Sequence, residues 1–112
     1  MKRGEIWWTN LGAPSGSAPG YRRPAVIVSA NEFNNTPIRT IIVVFLTTNP
    51  IRARDPGNLW LTKRQTGLPQ ASTLNISHIL TVDRRLLTEK VGRLPDNVMN
   101  QIDDGLRLVL AL

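Results

Sequence analysis

The run TIIVVFLT, which lies within residues 39–47, is the most strongly β-branched stretch of the 112-residue chain. Isoleucine, valine, threonine and phenylalanine fit a pleated, partly buried surface, so the run predicts the central strand of a β-sheet. Residues 25–29 (AVIVS) form a second continuous apolar run, which is typical of a strand buried on both faces. Together the two runs predict the middle of a β-rich fold.

Further strands are predicted where apolar residues alternate or where β-favouring residues are concentrated. These segments are residues 4–11, 58–62, 72–82 and an edge strand at 90–94. The segments between them are rich in Gly, Pro, Ser and Asn and predict loops or turns: 12–23, 31–37, 48–57 and 67–70. Asp83 is predicted to cap a single helical turn over residues 84–87. Trp7 and Trp8 are adjacent in a strand, so they are expected to point to opposite faces.

One clear helix is predicted at the end of the chain, with Pro95 in its first turn. Apolar residues recur there at steps of three and four: Val98, Met99, Ile102, Leu106, Val109 and Leu110. A length of 112 residues fits one domain, residues 1–112. Strands followed by a packing helix predict a mainly β fold, a small, strongly curved antiparallel sheet or barrel with a C-terminal helix.

The charge balance is strongly basic. Lys and Arg number 14 against 8 Asp and Glu, which gives a net charge of +6, and eleven of the cations are Arg. Such an excess attracts polyanions, and the planar Arg fork matches phosphate geometry. Charge alone is also compatible with a basic protein that has no nucleic-acid role.

The rare residues exclude several chemistries. The chain has no cysteine and one histidine, His78, which excludes a thiol nucleophile, a disulfide framework and a Cys- or His-rich metal site. No apolar run approaches the roughly 20 residues of a membrane span. The start, MKRGEIWW, turns polar too early for a secretory signal, so a cytoplasmic protein is expected.

Ordered segments along nearly the whole chain resemble the MazF/PemK family. They are RGEIWW at 3–8, GS at 16–17 with PG at 19–20, RRPAVIVS at 22–29, the strand through 40–48, GL at 67–68 with residues 74–83, LTEKVGRL at 87–94, and the terminal helix. The resemblance implies an SH3-like barrel of the PemK/CcdB type and a homodimer. It implies cleavage of single-stranded RNA at short recognition sequences, without a metal or a small-molecule cofactor. It further implies neutralisation by a cognate antitoxin, whose flexible acidic tail lies across the RNA groove.

The resemblance places the family's catalytic arginine and threonine at Arg23 and Thr47. Arg23 stands where the loop 12–23 enters a buried strand, and Pro24 stiffens its exit. Its guanidinium suits two phosphate oxygens, although an unaligned loop arginine is more often simply solvated. Thr47 ends the central strand, where a hydroxyl can donate to phosphate. Thr48 follows directly, and a slip of one residue would exchange the two.

Further residues are predicted to contact RNA: Ser17, Arg22, Thr48, Asn49, Arg52, Ser77 and His78. An asparagine amide such as that of Asn49 can read a base edge, while Arg52 and Arg54 suit phosphates. Ser77 and His78 correspond to the family's RNA-reading surface and are interpreted as contacts rather than catalysts. The loop 15–20 is expected to close over substrate, and it carries Ala18 where many family members have an acidic residue.

Two other functions are compatible with a barrel of this type. The first is a gyrase-poisoning toxin like CcdB, which would use a C-terminal helix tipped by Trp. This chain ends in LVLAL without a Trp, which argues against it. The second is a non-catalytic RNA-binding module, which the basic charge supports equally well. Only the placement of Arg23 and Thr47 favours chemistry over binding.

Overall fold

The computed structural model describes residues 1–12 and 22–112. Its strands are β1 (Glu5–Asn10), β2 (Arg22–Ile27), β3 (Thr40–Thr47), β4 (Leu59–Leu61), β5 (Ser72–Asp83) and β6 (Leu87–Arg93). Its helices are α1 (Asn31–Asn34), α2 (Lys63–Thr66) and α3 (Asp96–Leu110), with 3₁₀ turns at Pro50–Arg54 and Arg84–Leu86. The strands pair antiparallel in the order β4-β5-β3-β2-β1-β6. This sheet curls into a half-barrel, and α3 packs against β5.

The mainly β fold with a C-terminal helix is confirmed, and β3 lies in the middle of the sheet as predicted. β6 is an edge strand, as predicted, but begins at Leu87, three residues early. Two short elements were predicted as irregular: α1 in the connection 31–37, and the 3₁₀ turn in the loop 48–57. α2 was not predicted. It forms because Thr62 and Gln65 make a reciprocal capping box, a local signal that strand periodicity hides.

Alternate residues of β3 enter two separate apolar clusters, because successive side chains of a strand point to opposite faces. Val44 and Leu46 belong to the cluster that includes Val98, Met99 and Ile102 of α3. The other cluster contains the intervening β3 residues Ile41, Val43 and Phe45. Trp8 packs against the first cluster and Trp7 against the second, so the prediction that they point to opposite faces is confirmed.

The loop before β4 packs closely against α3 at two glycines. A Cβ built on Gly105 would lie 2.8 Å from the carbonyl oxygen of Gly57 and 3.2 Å from Ile76 Cγ1. Gly57 itself has a φ of +80°, which side-chain-bearing residues rarely adopt. This contact places the following residue, Asn58, against β5.

A buried carboxylate fixes the start of β1. Glu5 is only 6% exposed, and its carboxylate accepts hydrogen bonds from the Lys2 backbone N–H and the Trp7 indole, both at 3.0 Å. Lys90 Nζ of β6 lies 3.0 Å from the other carboxylate oxygen. Burial alone would raise the pKa of Glu5, but these donors and the lysine charge together lower its pKa to about 2. The ion pair thus joins β1 to the edge strand β6.

Candidate active site

The β2–β3 ladder brings Arg23 and Thr47 together. The paired part of the ladder ends where Ala25 pairs with Phe45, and its register, extended by two residues, would set Arg23 opposite Thr47. Directly opposed residues of an antiparallel pair share one face of the sheet. Both side chains line a depression of about 310 Å³, called here the larger depression, and a neighbouring one of about 160 Å³, the smaller depression. Leu46 is the third residue that the two depressions share.

The backbone of Arg23 is held while its side chain is exposed. The buried Thr9 lies opposite Arg23 in the β1–β2 ladder, and its hydroxyl donates to the Arg23 carbonyl oxygen at 2.8 Å. Within residues 1–12 and 22–112, no carboxylate lies within ion-pair distance of the Arg23 guanidinium. The guanidinium therefore meets the two depressions as a cation whose donors can bind an anion.

Thr47 and Thr48 occupy different positions. The half-buried Thr47 lines both depressions, whereas the exposed Thr48 lines only the larger one. The Thr47 hydroxyl oxygen accepts the Asn49 backbone N–H at 3.3 Å, which leaves its hydrogen to donate elsewhere. On the other side of the segment, the Thr73 hydroxyl donates to the Asn49 carbonyl at 3.1 Å. These bonds hold the end of β3 against β5.

A bulge of four residues in β5 positions the predicted contact residues of that strand. Val44 pairs with Ile79 and Leu46 pairs with Leu74, so residues 75–78 all lie opposite Phe45 alone. Such an insertion breaks the ladder and re-aims the side chains on the bulged strand. Ser77 and His78 are exposed there, and His78 lines the smaller depression.

The 3₁₀ turn Pro50–Arg54 and its cap also contribute to the lining of the smaller depression. Asn49 caps the turn, because its side-chain oxygen accepts the Ile51 backbone N–H at 3.1 Å. Asn49 and Arg52 both line the smaller depression, and Arg52 also approaches Asp55 at 3.4 Å on the surface. Arg54 is exposed and lines neither depression.

Arg22 lies at the rim of the larger depression, in a cluster that sequence reasoning did not identify. Its guanidinium carbon stands 4.2 Å from the centroid of the Trp8 ring, within the range of a cation–π contact. One of its nitrogens is 2.8 Å from a Glu89 carboxylate oxygen on β6. Trp8 also lines the larger depression. The pairing of β1 with β6, which the sequence does not reveal, brings Glu89 here.

The structure therefore gathers most of the predicted site residues around two adjoining depressions. Arg22, Arg23, Thr47 and Thr48 line the larger one, while Asn49, Arg52 and His78 join Arg23 and Thr47 around the smaller. Ser77 lies beside the smaller depression and donates to Asn75 at 3.4 Å. Ser17 and the loop 15–20 fall outside the described residues.

The sequence patterns did not predict two asparagines that lie at or beside the smaller depression. Asn75 lines it, and Asn58 hydrogen-bonds to Asn75 from the loop before β4. An amide among the apolar residues of the predicted strand 72–82 is the only sequence signal that pointed to Asn75.

Within the described ranges, no group of three or more His, Asp or Glu side chains is arranged to hold a metal ion. No helix in the same part of the chain is long and apolar enough to cross a membrane.

The fold class is that of solved toxin structures. One is an endoribonuclease in complex with its cognate antitoxin from a mycobacterial species, with a TM-score of 0.80 and 25% identity over 100% of this chain and 96% of that chain. Another is the MazE–MazF complex (Form II) of Deinococcus radiodurans, with a TM-score of 0.80 over the same shares but 20% identity, which shows the fold alone.

The family follows from the sequence as a whole. The family model for PemK-like, MazF-like toxins of type II toxin-antitoxin systems matches residues 2–110, and the chain belongs to this family. Endoribonuclease MazF6 of Mycobacterium tuberculosis (strain H37Rv) is 39% identical over 112 residues, covering 100% of this chain and 98% of the relative. Endoribonuclease EndoA of Bacillus subtilis (strain 168) is 30% identical over 112 residues, covering 100% and 96%. The resemblance inferred from the ordered segments is confirmed.

Proposed function

We propose that this protein, as one toxin domain over residues 1–112, is a sequence-specific endoribonuclease that cleaves single-stranded cytoplasmic RNA without a metal ion. The observation that carries the proposal is the convergence of Arg23 and Thr47 on the same two depressions. The names of the 30–39% identical relatives support ribonuclease activity over the gyrase-poisoning alternative. A supercoiling assay, in which no inhibition is expected, tests that alternative directly.

RNA supplies its own nucleophile, so the chain needs only to align the reacting groups of the RNA and to stabilise the charge that develops on the phosphorane. The ribose 2′-oxygen bonds to the adjacent phosphorus while the bond from phosphorus to the 5′-oxygen breaks. The 2′-hydroxyl loses its proton and the leaving 5′-oxygen gains one, which gives a 2′,3′-cyclic phosphate and a 5′-hydroxyl. Arg23 counters the negative charge that develops on the phosphorane, and the Thr47 hydroxyl donates to a non-bridging oxygen.

The remaining predicted contacts are proposed to bind RNA on either side of the cleaved phosphate. Arg22 and Thr48 border the larger depression, and Asn49, Arg52 and His78 border the smaller one. Ser17 and Ser77 complete the proposed set. Because exposed arginines flank both depressions, the RNA backbone can follow them across the end of the sheet.

A cognate antitoxin with an acidic segment is the proposed protein partner. The chain's net charge of +6 and the arginines around the depressions are complementary to such a segment. The mycobacterial relative was solved with its cognate antitoxin, which supports the same kind of complex here. A homodimer is also proposed, since Leu108, Leu110 and Leu112 expose apolar surface at the end of α3. Sedimentation of the isolated protein measures this stoichiometry.

The experiment that tests the enzyme is cleavage of a long unstructured RNA by the purified protein in EDTA, with both ends of each product mapped. Cyclic phosphate and 5′-hydroxyl ends at a short repeated motif are expected. Arg23→Ala should lower cleavage by at least about a hundredfold. Arg107→Ala is the matched control, because it removes the same charge from the exposed face of α3. Salt-dependent RNA binding without cleavage by the wild-type protein would instead establish a non-catalytic RNA-binding module.

A further inference from the structure

Asn58 makes three hydrogen bonds that fix which way its side-chain amide points. Its oxygen accepts the backbone N–H of Ile76 at 2.8 Å, and its nitrogen donates to the backbone carbonyl of Arg52 at 2.8 Å. A backbone N–H can only donate and a backbone carbonyl can only accept. The flipped orientation would lose both bonds, so the side-chain amide of Asn58 adopts only one of its two orientations.

The orientation of Asn58 determines that of Asn75. The Asn58 nitrogen lies 3.3 Å from a side-chain atom of Asn75, and a donor requires an acceptor there, so this atom is the Asn75 oxygen. The Ser77 hydroxyl donates to the same oxygen at 3.4 Å. The Asn75 nitrogen is thus turned away from Asn58, in a residue that lines the smaller depression. Among the described residues, none accepts a hydrogen bond from it.

Four of the other polar residues around the smaller depression present donors, and the fifth, His78, can present a donor or an acceptor. Arg23 and Arg52 have no acceptor atoms in their side chains, and the Asn49 side-chain oxygen already accepts one hydrogen bond, from the Ile51 N–H. The Thr47 hydroxyl oxygen likewise accepts one hydrogen bond, from the Asn49 N–H, and its hydrogen remains to donate. A ligand group that offers acceptors therefore complements most of this lining.

We infer that Asn58 is a positioning residue for RNA specificity: it holds the Asn75 amide with its N–H groups toward the smaller depression, where they donate to the exocyclic keto oxygen of guanine or uracil. This inference rests on the proposed ribonuclease function. A base edge fits better than a second phosphate, because the depression already contains the Arg23 and Thr47 pair and is lined in part by the buried apolar residues Phe45 and Leu46. Adenine and cytosine carry an amino group where the keto oxygen stands, so an outward donor disfavours them.

The test reverses the orientation of the Asn75 side-chain amide by a substitution at Asn58. In Asn58→Asp the carboxylate still accepts the Ile76 N–H, but it offers only acceptors to Asn75, whose amide then reverses and presents its oxygen to the depression. The preference at one position of the cleavage motif should shift from keto toward amino bases by about tenfold, with less effect on kcat at a saturating RNA concentration. Preferences are measured by mapping cleavage ends in a randomised single-stranded RNA pool.

A double-variant cycle separates the reversal from the added negative charge. On an Asn75→Ala background the amide is gone, so Asn58→Asp should no longer change base preference, whereas a charge effect would persist. Circular dichroism establishes that each variant is folded. An unchanged preference in Asn58→Asp, a uniform loss at all sites without a preference change, or the same preference shift on both backgrounds would each overturn the inference.

A second readout needs no RNA cleavage and so distinguishes failure of this inference from failure of the proposed function. The side-chain amide signals of Asn75 in a nitrogen–proton NMR spectrum can be assigned by their disappearance in Asn75→Ala. Asn58→Asp should move these proton signals downfield, because the amide then donates to a carboxylate. Unmoved signals would refute the reversal even if the wild-type protein cuts RNA. Shifted signals in a protein that does not cut RNA would retain the positioning and reject the ribonuclease function.

Discussion

Glu5 makes the stability of this protein depend on pH in a way that a single substitution can isolate. Its carboxylate is buried and bonded to Lys2, Trp7 and Lys90, and its pKa falls from an ordinary 4.5 to about 2. Each tenfold change in proton affinity is worth about 1.4 kcal/mol, so the folded environment stabilises the ionised form by about 3 kcal/mol.

The direction follows from which state takes up the proton first. Above pH 4.5 the carboxyl is ionised in both the folded and the unfolded chain, and the full contribution is present. As the pH falls below 4.5 the unfolded chain is protonated while the folded one is not, so stability is lost progressively toward pH 2. At pH 3 roughly half of the contribution, about 1.4 kcal/mol, remains.

The measurement is urea-induced unfolding of the wild-type protein and of Glu5→Gln at pH 7, 5 and 3. The difference between their free energies of unfolding should decrease by about 2 kcal/mol from pH 7 to pH 3. Glu32→Gln, which alters an exposed carboxylate on α1, is the control and should show no comparable trend. A difference for Glu5→Gln that stays constant over this range would refute the assignment of a lowered pKa to Glu5.

Three further outcomes are expected. Thr47→Val should lower the cleavage rate about a hundredfold in single-turnover assays, because it removes a donor to the phosphate. Thr48→Val should change the rate less than about threefold. The reverse ranking would exchange the two roles. Gly105→Ala should destabilise the fold by about 1–2 kcal/mol in urea unfolding, because its Cβ would lie 2.8 Å from the Gly57 oxygen, and a gain in stability would contradict that packing. The RNA affinity of Arg23→Ala, measured by fluorescence anisotropy, should be about tenfold weaker at 200 mM salt than at 50 mM salt. An affinity that does not depend on salt would argue against phosphate contacts.

Local sequence signals were sufficient for most of the secondary structure. β-Branched runs predicted β2 and β3, and three- and four-residue periodicity predicted α3, since these patterns depend on side chains close in the chain. Asp83 caps the turn Arg84–Leu86 as predicted, because its side chain accepts the Arg85 N–H. The α-helices that were missed, α1 and α2, are four residues each and too short for a periodic signal.

Local sequence signals predicted only part of the candidate site. Arg23 and Thr47 were selected through the family's ordered motifs, and their placement on shared depressions depends on the register of β2 and β3. Asn58 and Asn75 were not predicted as site residues, because the orientation of a side-chain amide depends on backbone groups contributed by other segments.

The sequence by itself determined a basic, mainly β chain with one amphipathic helix and identified its family, since composition, periodicity and motif order are all properties of the chain read in line. Only the tertiary structure decided that Thr47 rather than Thr48 lines both depressions and that the bulged segment of β5 brings Asn75 and His78 to the smaller one. It also decided that Glu89 meets Arg22 over Trp8. The physical reason is that strand register and bulges are fixed by packing between segments distant in sequence, and a shift of one residue turns every side chain to the other face.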